Sequence, residues 1–221
     1  MNSDAAQSKP LMDVYHRLFQ AHGPQHWWPG DSPFEIVVSA ILTQATTWTN
    51  VEKAVHNLKT AGILTPGGLR DVPTDELAQL IRSSGYFNVK ARRLKAFICH
   101  LWDAHNGSLE AMLRSNSFSL RRELLSIRGI GEETADDILL YAAEKPFFVI
   151  DAYTRRILER LGVNNGADSY ADYQRLFHEA LPADARLFNE YHALLVRHGK
   201  DVCRPTPLCE KCCLRKTCRF P

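Results

Sequence analysis

The C-terminal end of the sequence concentrates the residues that are best able to bind a metal. Five of the six cysteines lie in the last nineteen residues, which in a cytosolic chain favours a metal or cluster site over disulfides. Thiolates at short regular spacings can wrap one tetrahedral metal ion or an iron–sulfur cubane, and the spacing alone leaves zinc and a [4Fe–4S] cluster open. Four of these cysteines follow the pattern C-x5-C-x2-C-x5-C: Cys203, Cys209, Cys212 and Cys218.

A second stretch whose residues could take part in binding or chemistry is LLSIRGIGEETA, residues 124–135. Gly129 and Gly131 flank the apolar Ile130, so the backbone can turn sharply there and approach another backbone closely. The helix predicted directly after the turn would present free N–H groups beside those of the turn. Such a corner could bind a DNA phosphate without reading sequence, or it could simply pack two helices together. The pattern alone does not choose between these two interpretations.

Two carboxylates near this stretch could take part in chemistry. Asp151 follows the apolar residues 147–150 and precedes AYTRRIL, where an aspartate is typical of a helix N-cap. An N-cap aspartate can also act in catalysis, so both roles stay open. Glu133 falls in the first turn of the helix predicted after the glycines, where the helix dipole favours negative charge.

Adjacent aromatic residues, Trp27 and Trp28, precede Pro29. Their electron-rich faces could stack on a cationic purine, each contributing about 0.5–2 kcal/mol. Paired tryptophans before a proline are equally typical of a hydrophobic core.

The elements that must position these residues are helical almost throughout. In SPFEIVVSAILTQ the apolar residues recur with a helical period after a Ser-Pro start, and PTDELAQLIRSSG is bounded by Thr74 and Gly85. Residues 147–150 alone resemble a strand, and they are too short to start a sheet. The sequence therefore predicts an all-α protein of about ten helices.

Composition places few limits on function. An apolar content of 45% and a charged content of 24% are typical of globular proteins. No apolar run approaches the roughly 20 residues of a membrane helix, and no secretory signal is visible, so we expect a cytoplasmic protein. The net charge is only +2, and local basic clusters hint only weakly at nucleic acid. One cluster comprises Lys90, Arg92, Arg93 and Lys95; the other comprises Arg197, Lys200, Arg204, Lys211, Arg215, Lys216 and Arg219.

Taken together, the glycine hairpin, the aspartate about 20 residues later and the cysteine-rich C-terminus resemble the helix-hairpin-helix DNA glycosylases of the endonuclease III superfamily. The resemblance covers residues 30–218 and implies two helical lobes with the active site in the cleft between them. A six-helix barrel lobe would span residues 28–140, with the hairpin at 124–136. Residues 1–27 and 141–221 would form the second lobe, with a cluster loop at 203–218.

The resemblance also implies site chemistry. The superfamily carries a [4Fe–4S] cluster on C-x6-C-x2-C-x5-C, one residue longer in the first gap than this chain, and Cys213 has no counterpart there. The aspartate that corresponds to Asp151 serves the chemistry. Bifunctional members have a lysine at the position of Glu133, and a carboxylate cannot form the Schiff base that strand cleavage requires. The hairpin grips the DNA backbone through Gly129, Ile130, Gly131 and Thr134.

The elements WWP, ILTQ, VEK and GIGxExAD look like the 3-methyladenine DNA glycosylase branch, which also has glutamate at the lyase position. In that branch the aromatic pair stacks the methylated base, which here implies a pocket of Trp27, Trp28, Glu133 and Lys200. For the remaining contacts the resemblance assigns Gln44 to fill the gap left by the flipped base and Tyr86 to wedge into the opposite strand. The resemblance assigns contacts with the DNA backbone to Asn88 and Lys90.

These features predict a monofunctional DNA N-glycosylase of base-excision repair that hydrolyses alkylated purines of the 3-methyladenine type and leaves an abasic site. The partner would be double-stranded DNA, the chain a monomer, and its location cytoplasmic, on the nucleoid when bound to DNA. One alternative is an endonuclease III-like glycosylase and lyase for oxidised pyrimidines or mismatched thymine. The other is a lesion-binding iron–sulfur protein without catalysis.

Overall fold

The computed structural model describes residues 4–164 and 166–220, with side chains from Pro10 onward. In these residues the chain forms twelve α-helices and no strand, and the all-α prediction is confirmed. The helices are grouped in two compact units, Met1–Trp28 with Lys145–Pro221 and Pro29–Glu144. No helix in the described part of the chain is long and apolar enough to span a bilayer.

The α-helices have these bounds: α1 Asp4–His22, α2 Pro33–Leu42, α3 Trp48–Thr60, α4 Pro66–Asp71, α5 Thr74–Leu80, α6 Phe87–His105, α7 Leu109–Leu113, α8 Ser117–Ser126, α9 Glu132–Asp137, α10 Ala152–Leu161, α11 Tyr170–Ala180 and α12 Ala185–Asp201. A π-helical turn, Ile138–Ala142, continues α9. Short 3-10 turns cover Arg82–Ser84, Cys209–Lys211 and Arg215–Thr217.

The boundaries of the units differ slightly from those expected from sequence, which were 27/28 and 140/141. The structure divides the chain after Trp28 and after Glu144. The second boundary lies later because the π-helical turn packs against α2 and α9, and so belongs to the Pro29–Glu144 unit.

The Pro29–Glu144 unit contains eight α-helices, α2 to α9, where the resemblance implies a barrel of six. The additional helices are single turns, and side-chain caps explain them. The hydroxyl of Thr65 accepts from Gly68 N at 3.0 Å to start α4. That of Ser108 accepts from Ala111 N at 3.2 Å to start α7. The core lies around α2, which packs against α3, α6 and α9 and buries nearly its whole apolar length.

The other unit is built from α1, α10, α11 and α12, with an aromatic core. The ring of Phe148 stacks on that of Phe177, with centroids 3.6 Å apart and planes 9° apart. Residues 147–150 are buried beside α11. Side chains of α11 form hydrogen bonds with the backbone N–H and C=O groups of this run. Gln174 Nε2 donates to Phe148 O at 2.7 Å, and Ile150 N donates to the hydroxyl of Tyr170 at 3.2 Å. Because side chains satisfy this backbone, the strand-like run needs no β partner.

Candidate functional site

Asp151 caps the N-terminus of α10. Its Oδ1 accepts a hydrogen bond from Thr154 N at 2.7 Å, as the sequence predicted for an N-cap. The second oxygen, Oδ2, lies 3.8 Å from Nε2 of His192 on α12, and the side chain is 12% exposed. Oδ1 caps the helix and Oδ2 lies toward His192, so capping leaves the second oxygen available for other contacts.

His192 is a neighbour of Asp151 that the sequence analysis missed. Its burial lowers the pKa of the imidazole, and the negative charge of Asp151 opposes that shift without reversing it. The ring is therefore neutral at pH 7 and does not act as a cationic partner of Asp151. The available signal was weak: His192 shares a helical spacing with the buried Phe188 and Leu195, which is typical of a core residue.

Helix α10 connects Asp151 to the cysteine-rich loop through two arginines. Arg156 donates from Nε to Cys203 O at 2.8 Å and from Nη2 to Gly199 O at 2.9 Å. Arg160 donates from Nη1 to Arg204 O at 2.7 Å and from Nη2 to Pro205 O at 2.9 Å. These carbonyls have no partner in a helix or sheet ladder, so the guanidinium groups determine the start of the loop.

α10 and α12 approach each other closely at Gly199. A Cβ atom on Gly199 would lie 2.7 Å from Cβ of Tyr153, two residues after Asp151. Only a residue without a side chain fits this contact, which fixes the position of α12 on the N-terminal part of α10.

All four cysteines of the predicted ligand set are free and half-buried. Three of them contact α10 or α12 through sulfur. Arg160 Nη1 donates to Cys203 Sγ at 3.3 Å, Cys218 Sγ lies 3.4 Å from Arg160 O, and Cys212 Sγ lies 3.4 Å from His198 Nε2. Burial raises the pKa of the Cys212 thiol to about 11, and the nearby cysteines add to this. Cysteines bind a metal as thiolates, so metal binding at Cys212 would release this proton.

Cys213 has close neighbours although it falls outside the spacing pattern. Its Sγ lies within 4.8 Å of ring nitrogens of His22 and His198. The two rings are themselves joined, with His22 Nε2 and His198 Nδ1 3.0 Å apart. Burial and then the neighbouring His22 lower the pKa of His198 to about 4. The C-terminal end of α1 is thereby tied to the cysteine loop.

In the Pro29–Glu144 unit, Gln44 is bound to the glycine hairpin. Its Nε2 donates to Thr134 Oγ1 at 2.8 Å and to Gly129 O at 3.3 Å. Its Oε1 accepts from Nη1 of Arg93. The side chain is held between α6 and the hairpin, so the residue predicted to enter the duplex is positioned before any DNA is bound.

Two residues of the hairpin have buried side chains. Thr134 is 4% exposed and Ile130 is 5% exposed. The side chain of Ile130 belongs to the core and the Thr134 hydroxyl accepts from Gln44, so the DNA contacts of these two residues, which would use their main chain, remain predictions. Gly129 and Gly131 are half-buried and exposed, respectively, and leave the main chain of the turn as the accessible surface.

The contact predicted between Lys90 and the DNA backbone is wrong. Lys90 is 1% exposed, and its ammonium donates to Leu42 O at 2.8 Å and to Ser84 O at 2.6 Å. Burial lowers its pKa to about 8, with Arg93 adding to the shift. A lysine near the start of a helix is usually solvated, and only the tertiary fold shows that this one is inside. Lys90 joins the end of α2, just before Gln44, to the loop that leads to Tyr86.

Tyr86 and Asn88 are both exposed at the start of α6. The Tyr86 side chain is 73% exposed, and its backbone is in the left-handed region at φ 45°. A large aromatic ring held outside the fold is what an intercalating side chain requires. The wedge and backbone-contact roles of these two residues remain predictions.

The predicted base-pocket residues lie in different units. Glu133 is exposed in the first turn of α9. Lys200 is exposed in the last turn of α12. Trp27 and Trp28 are half-buried, and their rings are tilted at 49° with centroids 5.3 Å apart. Because both rings are partly exposed, the tryptophans are not fully buried core residues. The roles of all four residues in binding a base remain predictions.

Comparison with known proteins gives a consistent result. Residues 38–183 match the family model of HhH-GPD superfamily base excision DNA repair proteins. A relative from Methanocaldococcus jannaschii, named as a candidate DNA repair glycosylase, is 44% identical over 210 residues, which are 94% of this chain and 95% of the relative.

Two solved structures share the fold. The 3-methyladenine DNA glycosylase MagIII of H. pylori, bound to 1,N6-ethenoadenine, has a TM-score of 0.74 and 27% identity, covering 89% of this chain and 97% of that one. A trapped covalent intermediate of endonuclease III with DNA has a TM-score of 0.83 at 24% identity, covering 96% and 95%. The second likeness concerns the fold alone.

The hairpin glycines allow a matched test of the turn. Gly129 has φ +95°, and a Cβ there would lie 2.4 Å from Cγ of Arg93, whereas a Cβ on Gly131 meets nothing within 4 Å. We expect Gly129→Ala to lower the free energy of unfolding by about 1–3 kcal/mol, because strain and clash act together. Gly131→Ala, at φ −96°, should lower it by less than about 1 kcal/mol. Urea denaturation measures both; equal losses would contradict the described turn.

Proposed function

The chain belongs to the HhH-GPD superfamily of base-excision DNA repair proteins and is a DNA glycosylase, and from this premise we propose that it is a monofunctional alkylpurine N-glycosylase. It would hydrolyse the N-glycosidic bond of bases of the 3-methyladenine type in double-stranded DNA. The product would be an abasic site in an intact strand.

The observation that carries this proposal is the carboxylate at position 133. Glu133 stands two residues after Gly131, in the first turn of α9 and exposed to solvent. Strand cleavage by a glycosylase of this superfamily uses an amine that attacks the sugar and forms a Schiff base. A carboxylate has no such chemistry. The base must then leave by attack of water, which keeps the strand whole.

The absence of that amine also favours a particular class of substrate. A neutral purine is a poor leaving group unless a general acid protonates it. A purine alkylated at N3 or N7 already carries a positive charge, so the electrons of the broken bond neutralise it as it departs. An enzyme that relies on one carboxylate and water is therefore suited to alkylated bases.

Half-buried tryptophans support the same class of substrate. The indole faces of Trp27 and Trp28 attract a cationic ring, at about 0.5–2 kcal/mol each. Glu133 and Lys200 complete the proposed pocket, where a carboxylate would favour a cationic base. The structural similarity to MagIII, a 3-methyladenine DNA glycosylase solved with 1,N6-ethenoadenine, also supports this class of substrate.

Asp151 would act on the sugar. As the glycosidic bond lengthens, positive charge develops on the ring oxygen and C1′, and a nearby carboxylate stabilises it. The same carboxylate can orient a water molecule and accept its proton as the oxygen bonds to C1′. The hydrogen bond by which Asp151 caps α10 holds its side chain in one place.

DNA binding would use elements of the Pro29–Glu144 unit. The main chain of Gly129 and Gly131 would bind a phosphate, Gln44 would fill the space of the extruded base, and Tyr86 with Asn88 would act on the opposite strand. We expect a monomer located in the cytoplasm and on the nucleoid when bound to DNA.

The four cysteines would hold a [4Fe–4S] cluster. The donor set suits it: four free thiols on a loop that the arginines of α10 hold in place. Among the described residues, the groups with three ligand atoms within 4.8 Å of one another do not include three of these sulfurs. A single zinc ion with bonds of about 2.3 Å would draw them closer than that. Wider spacing favours a cluster, which would give the basic loop a rigid structure.

Iron content tests the cluster, with two cysteines as a matched pair. We expect the purified wild-type chain to contain about four irons and an absorption band near 400 nm. Cys209→Ser should lose most of both, whereas Cys213→Ser should keep them because Cys213 is not a predicted ligand. One zinc ion per chain in place of iron, or equal loss in the two variants, would contradict the assignment.

Two N-cap aspartates allow a test of catalysis without loss of the helix cap. Asparagine caps a helix about as well as aspartate, so Asp151→Asn should fold normally. We expect it to release methylated bases at least about 100-fold more slowly, because the charge is gone. Asp184→Asn, which changes the exposed cap of α12, should keep the wild-type rate. Unchanged single-turnover rates in Asp151→Asn would remove Asp151 from the mechanism.

A further inference from the structure

Three side chains of types that commonly bind metal ions lie together in the Pro29–Glu144 unit, at the end of α6. His100 and His105, both on α6, direct their Nε2 atoms to the same oxygen, Oε1 of Glu123 on α8. The distances are 2.8 Å from His100 and 2.6 Å from His105. The side chains are 28%, 17% and 22% exposed for His100, His105 and Glu123, so solvent reaches the cluster while the fold holds it.

All three potential ligand atoms lie within 4.8 Å of one another. Two imidazoles and one carboxylate that converge in this way form a ligand set used by zinc.

We propose that His100, His105 and Glu123 form a binding site for a divalent transition metal, with zinc as the best match. Zinc binds nitrogen and oxygen ligands at about 2.0–2.2 Å, which places tetrahedral ligand atoms about 3.3–3.5 Å apart. The observed Nε2–Oε1 distances need to open by less than about 1 Å, which side-chain rotation supplies. Each neutral imidazole binds the ion through Nε2 once its proton has moved by way of solvent to Nδ1, and water fills the fourth position.

The site joins the C-terminal end of α6 to α8. α8 leads directly into the turn at Gly129, and α6 begins beside Tyr86. A bound metal would therefore clamp together the helices that carry the predicted wedge and hairpin. Its function would be structural, and it is independent of the bond cleavage proposed for Asp151 and of the cysteine loop.

Zinc titration of the cluster-loaded protein tests the site, followed by isothermal calorimetry. We expect one tight site in the wild type and a dissociation constant weaker by roughly 100-fold in His105→Gln and in Glu123→Gln. Glutamine can replace the hydrogen bond in each case but is a poor zinc ligand, so the fold is kept. Zinc should also raise the melting temperature of the wild type and not of these variants.

Two further variants locate the binding. His22→Gln alters the imidazole pair beside Cys213, the other three-ligand group in the described residues, and His56→Gln alters an exposed histidine of α3. Both should keep the wild-type affinity for zinc. If His105→Gln binds zinc as tightly as the wild type, or if only His22→Gln loses binding, the proposed site is wrong.

Discussion

The unit formed by Met1–Trp28 and Lys145–Pro221 depends on the hydrogen bonds that fix α10, beginning at its N-terminus. The Asp151 carboxylate must hold the first turn of the helix, and the same helix must hold the cysteine loop through Arg156 and Arg160. The close contact of Gly199 with Tyr153 leaves α12 no freedom to shift along it. One helix thus carries both the Asp151 cap and the arginines that bind the cysteine loop.

The Pro29–Glu144 unit depends on a corresponding network around Gln44. Its amide is hydrogen-bonded to the hairpin and to Arg93, and Lys90 fixes the two backbone segments that precede Gln44 and Tyr86. Entry of Gln44 into a duplex would exchange these bonds for bonds to bases, at about 1 kcal/mol for each bond lost. If Gln44 enters DNA as predicted, bonds to bases would therefore have to replace those it makes in the free protein.

Features governed by local sequence were predictable, and features governed by tertiary packing were not. The all-α class, the Asp151 cap and the helix that follows it come from periodicity and capping, which act within a few residues. The resemblance assigned Lys90 to the DNA backbone, but it could not show that two distant carbonyls bind the ammonium inside the fold. His192 was missed for the same reason, since its meeting with Asp151 joins residues on separate helices.

Base release from DNA treated with a methylating agent tests the central claim most directly, with the free bases separated by chromatography and the strands examined before and after alkali. The account predicts that 3-methyladenine is released and that strands remain intact until alkali is added, with no covalent adduct trapped by borohydride. Release of oxidised or mismatched pyrimidines without any alkylated purine, or a trapped adduct with direct strand cleavage, would contradict the roles given to Trp27, Trp28 and Glu133.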